Sequence, residues 1–231
     1  MITKPVWILG FALAFAVFIL LPPFLGEPLP FYTSIAWADA LDLATPIILL
    51  PLYWILFTDV GRLGRKLAPA IAFAALAGLW AEGQGMHLSA NSIGNLLGSG
   101  SSSIHGLIHF YDETLSHILW HVAIVGLSAL LVALRWEGSA ETRMSWGLVV
   151  PAAILYGFTF FAAIVEGGTV WISAPLALGV LVWMLLARRR VVTRQNLLMF
   201  FLLGYTLALV LLLIWCGLWG ACIEFSAAGL F

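Results

Sequence analysis

Seven long apolar stretches constrain this chain more than any other feature. A helix that crosses a bilayer needs about 20 mostly apolar residues in a row. Such stretches run approximately over Val6–Leu25, Leu43–Thr58, Leu67–Ala90, Glu113–Trp136, Trp146–Ile164, Val170–Ala187 and Leu197–Trp219. They are continuous rather than alternating over about ten residues, which excludes a transmembrane β-barrel. Hydrophobic residues fill 63% of the 231 positions and charged residues only 9%. A soluble domain is about 45–50% apolar and about 25% charged. Too little polar surface is present for a soluble enzyme, a nucleic-acid binder or a disordered chain. A net charge of −1 gives no reason to expect a polyanionic partner. The expected fold class is an all-α integral membrane protein with seven transmembrane helices, forming a single domain over residues 1–231.

The second stretch is short, and Pro46 and Pro51 mark it as the one to bend. The first has Lys4 before it and resembles a signal peptide. It ends in Leu21-Pro22-Pro23 without a small-residue cleavage site, so it is read as retained. The basic residues set the orientation. Lys4 precedes the first span; Arg62, Arg65 and Lys66 lie between the second and third. Arg135 and Arg143 lie between the fourth and fifth, and Arg188, Arg189, Arg190 and Arg194 between the sixth and seventh. These are all 10 Lys and Arg of the chain, and seven spans put them on one face. The N-terminus is therefore expected in the cytoplasm and the C-terminus outside. Glu27, Asp39, Asp42 and Glu224 fall on the outer face, with Glu224 expected to be simply exposed. The short loops point to a multi-pass protein of a bacterial inner membrane. No fixed repeat and no matched pair of broken helices is present, which argues against a secondary transporter.

All 5 histidines lie between positions 87 and 121, together with Asp112 and Glu113 and just after Glu82. Ionisable groups inside a membrane are costly and mark function by default. His105, His109, Glu113, His117 and His121 recur every fourth residue. On an α-helix that spacing stacks side chains along one face, with Ser102 or Ser103 as the cap. The stripe drifts by about 40° per step, so neighbours on it can share an ion and its two ends cannot. The preceding helix carries Gln84, His87, Asn91 and Asn95 on one face, and Gly83 and Gly85 allow a second backbone to come close. If both helices cross the outer interface near Ala90 and Glu113, His87 stands level with His117 and Glu82 with His121.

Imidazole and carboxylate together suit zinc, iron, manganese or copper. The expected ligands are His87, His117, His121 and Glu82, with zinc favoured and iron or copper as alternatives. Asp112 and Glu113 are the candidate catalytic carboxylates, as general base or as orienters of the ligands. His105, His109, Asn91 and Glu166 are possible additions. His105 and His109 are as well suited to a solvated surface. Trp80 and Trp120 lie deeper than the other Trp residues and are expected to fill space. Cys216 and Cys222 are six apart, about 9 Å along a helix, beyond the reach of a disulfide of about 7 Å. They are expected as unpaired thiols unless Gly217 or Gly220 breaks the helix.

The segment Ser-His117-Ile-Leu-Trp-His121-Val resembles the histidine pair of the alkaline ceramidases, within the CREST membrane hydrolases that include adiponectin-receptor-type proteins. Ser101-x-x-x-His105 and Asp112-Glu113 are similar to that family's Ser-x-x-x-His element and following Asp. The resemblance implies a seven-helix zinc protein that cleaves lipid amide bonds. The family places its histidine pair in the last helix, whereas here it follows Asp112 within nine residues and the seventh stretch has no His.

Three functions compete. A zinc hydrolase would use a metal that lowers the pKa of bound water to about 7, with Asp112 or Glu113 taking the proton. Its partners would be membrane lipids and a lipid-like amide or ester. A redox protein would use iron, copper or a b-type haem; the spacing Glu113-x-x-x-His117 differs from the Glu-x-x-His of helical di-iron sites. A non-enzyme would be a metal transporter or a subunit of a membrane complex. The helices turn apolar below Glu82 and His121, which argues against a through-path and for a site open to the outer side.

Overall fold

The computed structural model describes residues 4–59, 66–97, 103–135, 144–192 and 194–230. Ser101, Ser102, Arg62, Arg65 and Arg143 lie outside them, and so do the side chains of Arg188, Arg189 and Arg190. The helices are α1 (Pro5–Leu20), α2 (Trp37–Asp59), α3 (Leu67–Leu97), α4 (Ser103–His109), α5 (Ser116–Arg135), α6 (Trp146–Glu166), α7 (Val170–Val192) and α8 (Asn196–Trp219). Each apolar stretch of the sequence thus corresponds to a helix. Among the described residues, four helical segments are long and apolar enough to cross a membrane: Trp37–Thr58, Ser103–Arg135, Trp146–Glu166 and Asn196–Trp219. Helix α1 is shorter than its apolar stretch, because Pro22 and Pro23 divert the chain into a 3₁₀ turn over Pro22–Phe24. Helix α2 is longer than expected and keeps Pro46 and Pro51 inside it.

A small antiparallel hairpin, β1 (Pro28–Leu29) and β2 (Tyr32–Ala36), connects α1 to α2 and was not expected from the sequence. The Asp39 carboxylate accepts the Ala36 N–H at 2.8 Å and so ties the hairpin to the start of α2.

Helix α3 packs on α5, α6 on α8, and α1 on α6. Lipid offers little hydrophobic force between helices, so close backbone approach and interhelical hydrogen bonds matter more. Both are present. A Cβ on Gly83 would stand 2.7 Å from the Ser116 carbonyl, so α3 meets α5 where only glycine fits. Gly85, expected to act likewise, faces open space. In the core, the fully buried Tyr53, Tyr156 and Tyr205 share hydrogen bonds through Ser128. The distances are 3.3 Å from Tyr53 to Ser128, 3.2 Å from Ser128 to Tyr156 and 3.1 Å from Tyr156 to Tyr205. That chain joins α2, α5, α6 and α8 and satisfies every hydroxyl in it, as a buried polar network must.

Two expectations change here. The stripe from His105 to His121 is not one α-helix. A π-helical turn over Phe110–Leu115 separates α4 from α5, and Ser116 N–H bonds to the Tyr111 carbonyl five residues back. The wider turn inserts a residue into the helical register, so His105 and His109 leave the line of His117 and His121. The cysteines are the second change. Cys216 and Cys222 form a disulfide with their Cα atoms 4.4 Å apart. Helix α8 stops at Trp219, and Gly220 takes a left-handed φ of 68° that turns the chain back.

Candidate functional site

The π-helical turn decides which carboxylate meets which imidazole. It leaves the Asp112 carbonyl without its α-helical partner, and two side chains take it up. The Ser116 hydroxyl donates to it, and His87 Nδ1 reaches it from α3 at 3.4 Å. His87 Nδ1 also lies 2.7 Å from Asp112 Oδ1. Asp112, rather than Glu113, is therefore the close carboxylate of His87. Glu113 is exposed and approaches His117 only to 3.9 Å.

His87, His117 and His121 come together as expected from depth. The His87 and His117 ring centroids are 5.0 Å apart, and those of His117 and His121 are 6.0 Å apart. Each ring is held at Nδ1. His117 donates Nδ1–H to the Gly167 carbonyl at 3.2 Å. His121 Nδ1 shares a 2.5 Å hydrogen bond with the Thr169 hydroxyl, which Ser173 supports at 3.1 Å. Carbonyl acceptors at Nδ1 of His87 and His117 leave Nε2 with its lone pair free to bind. Gly167 is required for this arrangement, since a Cβ there would stand 2.9 Å from His121 Cε1 and 3.1 Å from His117 Nδ1.

His121 is fully buried, and its Nε2 has no hydrogen-bond partner among the described residues. Gln84 Oε1, aimed from α3, is also buried and unpaired. Orphaned buried polar atoms of this kind cost about 1–3 kcal/mol each and call for a ligand or a special role. Trp120 packs on His121 with centroids 3.8 Å apart and lines the cavity beside it, whereas Trp80 only fills space against Tyr53.

A cavity of about 610 Å³ opens onto His87, His117 and Gln84, while His121 is not among the residues lining it. Its imidazoles are His87, His105, His109 and His117, and its carboxylates are Asp42, Asp112, Glu113, Glu166 and Glu224. His105 is half-buried and His109 exposed, so both stand toward the mouth. Glu166 holds the chain after α8 in place, its Oε2 accepting the N–H groups of Phe225 at 2.9 Å and Ser226 at 3.3 Å.

Two of the sequence candidates stand apart. Glu82 is exposed and does not line the cavity. Its neighbour Gly83 occupies the face against α5, and one residue along a helix turns the side chain by about 100°. Asn91 points to the hairpin side, donating to Asp39 at 3.3 Å. Sequence reasoning missed Asp42 and Glu224 as cavity residues. Both were read as outer-face charges, and it takes the hairpin and the disulfide turn to bring them in.

Imidazole and carboxylate are donor types that metals accept, and two imidazoles on one tetrahedral ion stand about 5 Å apart by their ring centres. Among the described residues, however, no group of three or more His, Cys, Asp or Glu side chains is arranged to hold an ion. Comparison with known proteins gives no family: no protein-family model, no curated protein and no solved structure matches the chain.

Proposed function

We propose that the chain is a multi-pass protein of a bacterial inner membrane that hydrolyses a lipid-like amide or ester at an outward-facing metal site. In this reading all seven apolar helical stretches cross the bilayer, with the N-terminus in the cytoplasm. The one-sided distribution of Lys and Arg supports that orientation. So does the Cys216–Cys222 disulfide, which ties the last turn of α8 to the chain after it, since disulfides persist in oxidising compartments.

One observation carries the metal reading. Three adjacent imidazoles are each fixed at Nδ1 by an outer partner, and His121 Nε2 is buried without one. Histidine ligands of metals are oriented in this way, by a carbonyl, a carboxylate or a hydroxyl on the far nitrogen. His87, His117 and His121 would hold the ion, zinc in preference to iron or copper, after a side-chain adjustment that closes the three rings on one point. Zinc so held would supply an activated water near neutral pH. Asp112 orients His87 and stands beside the cavity as the proton acceptor. Glu113, exposed at the rim, is the less direct candidate. The weak resemblance to CREST hydrolases agrees with this chemistry.

The 2.7 Å contact of His87 with Asp112 favours a second reading, a metal-free hydrolase. There His87, oriented by Asp112 at 2.7 Å, would serve as general base for water through Nε2. Elemental analysis of the detergent-purified protein, paired with an assay on fluorogenic lipid amides and esters, separates the two. The metal reading expects about one zinc per chain and turnover lost to a chelator. Turnover that survives complete metal removal supports the dyad. Bound iron or copper with a visible spectrum, or no turnover of any lipid tested, overturns the hydrolase.

A further inference from the structure

A second cavity of about 480 Å³ adjoins the polar one, and its chemistry is the opposite. Phe158, Phe161, Trp215, Phe225 and Leu230 line it, and Glu166 is the sole charged residue on its wall among the described residues. The two cavities share Ile19, Pro23, Ala163 and Glu166 in their walls, so they lie side by side. The segment after the disulfide walls both, placing Glu224 and Ser226 toward the polar chamber and Phe225 and Leu230 toward the apolar one. That segment is anchored by Glu166, by the Trp215 Nε1 bond to the Ile223 carbonyl at 2.7 Å, and by the edge-to-face contact of Phe225 with Trp215, centroids 4.8 Å apart. It is therefore a built wall.

The charges select the occupant. Asp42, Asp112, Glu113, Glu166 and Glu224 line the polar chamber, and no Lys or Arg among the described residues lines either chamber. A phosphate head would meet five carboxylates, with four imidazoles and no Lys or Arg to offset them, a like-charge placement that interfaces avoid. An ammonium head meets several acceptors. An alkyl chain suits the apolar chamber, whose volume falls in the usual range for a small-molecule site, about 300–1,000 Å³.

We infer that the paired chambers bind one single-chain amphiphile, with an amine head in the acidic chamber, its alkyl chain in the aromatic one and Glu166 at the seam. The inference rests on the proposed function only in taking the acidic chamber as the place of reaction. In that chamber the amine is a product of hydrolysis: water adds to the carbonyl of its amide, the C–N bond breaks and the amine leaves with a proton.

The test is photolabelling of the full chain in nanodiscs with hexadecylamine carrying a mid-chain diazirine, against hexadecyl phosphate with the same group. The amine is expected to label peptides holding Phe158–Ala162 and Trp215–Leu230 saturably, and the phosphate is not. Ala162→Phe, which fills the apolar chamber alone, is expected to weaken labelling about tenfold, or about 1.4 kcal/mol. Phe225→Ala serves as a second variant should the first fail to fold, and is expected to shift the label away from 215–230. Equal labelling by the phosphate, or unsaturable labelling spread along lipid-facing residues such as Ile47 and Leu213, overturns the inference. Saturable amine labelling with no hydrolysis of any amide or ester leaves this site standing and removes the proposed function. Hydrolysis with unsaturable labelling does the reverse.

Discussion

His117 and Gly167 are joined across the ends of two helices: the imidazole donates Nδ1–H to the glycine carbonyl at 3.2 Å. No side chain at 167 holds the ring off, and the same gap admits the edge of His121. The turn between α6 and α7 thus sets the orientation of both buried histidines of α5.

Gly167→Ala tests that contact. Its Cβ would press on His117 Nδ1 at 3.1 Å and on His121 Cε1 at 2.9 Å. Overpacking of this kind costs about 1–3 kcal/mol. The variant is expected to fold with a lowered Tm and to lose most of its zinc. Thermal unfolding in detergent and metal content measure both, and an unchanged metal content would contradict the account.

Thr169→Val removes the hydroxyl that holds His121 Nδ1 at 2.5 Å while keeping the side chain's shape. Removing the partner of a metal-ligating histidine costs about 10–100-fold in metal affinity. Thr169→Ser restores the hydroxyl and is expected to recover most of it. Competition with a zinc chelator reports the affinities, and equal values for Val and Ser would rule out the hydrogen bond.

Asp112→Asn separates charge from geometry. The backbone carbonyl of residue 112 still accepts from Ser116 and His87, so the π-helical turn is expected to persist. The 2.7 Å contact with His87 keeps its geometry and loses the carboxylate charge. Turnover is expected to fall about 10–100-fold with little change in Tm. Glu113→Gln, at the exposed rim, is expected to change turnover far less. A larger loss at Glu113 would reverse the two roles.

The apolar helices were legible because apolar length acts over whole segments, and local detail cannot erase it. The meeting of His87 with His117 was legible for a similar reason: depth along two antiparallel helices needs only residue counting. The π-helical turn was not, because Phe110–Leu115 carries no residue that demands it. That one turn moved the partner of His87 to Asp112 and separated His105 and His109 from the pair below. Glu82 was misplaced because counting depth says nothing of rotation, and Gly83 turns the neighbouring position into α5. The disulfide, and with it Glu224, depended on a left-handed Gly220 that the sequence allowed without requiring. The Tyr53–Ser128–Tyr156–Tyr205 chain joins four helices, so no single segment displays it.

The disulfide gives a test of topology and stability together. Closing a loop of this size is worth about 2 kcal/mol on the chain-entropy account. Reduction is expected to lower Tm by a few degrees. In intact cells stripped of their outer membrane, a membrane-impermeant reductant is expected to expose both thiols to alkylation. Thiols that react only after the membrane is permeabilised would place the C-terminal end inside and invert the topology.

The most direct measurement is the zinc content of the purified protein compared with that of His117→Ala and His121→Ala. The account predicts about one zinc per chain in the parent. It predicts loss of that zinc in both variants, with helical content in detergent unchanged. Zinc retained in both variants, or none in the parent after gentle purification, would contradict a metal centre between α3 and α5.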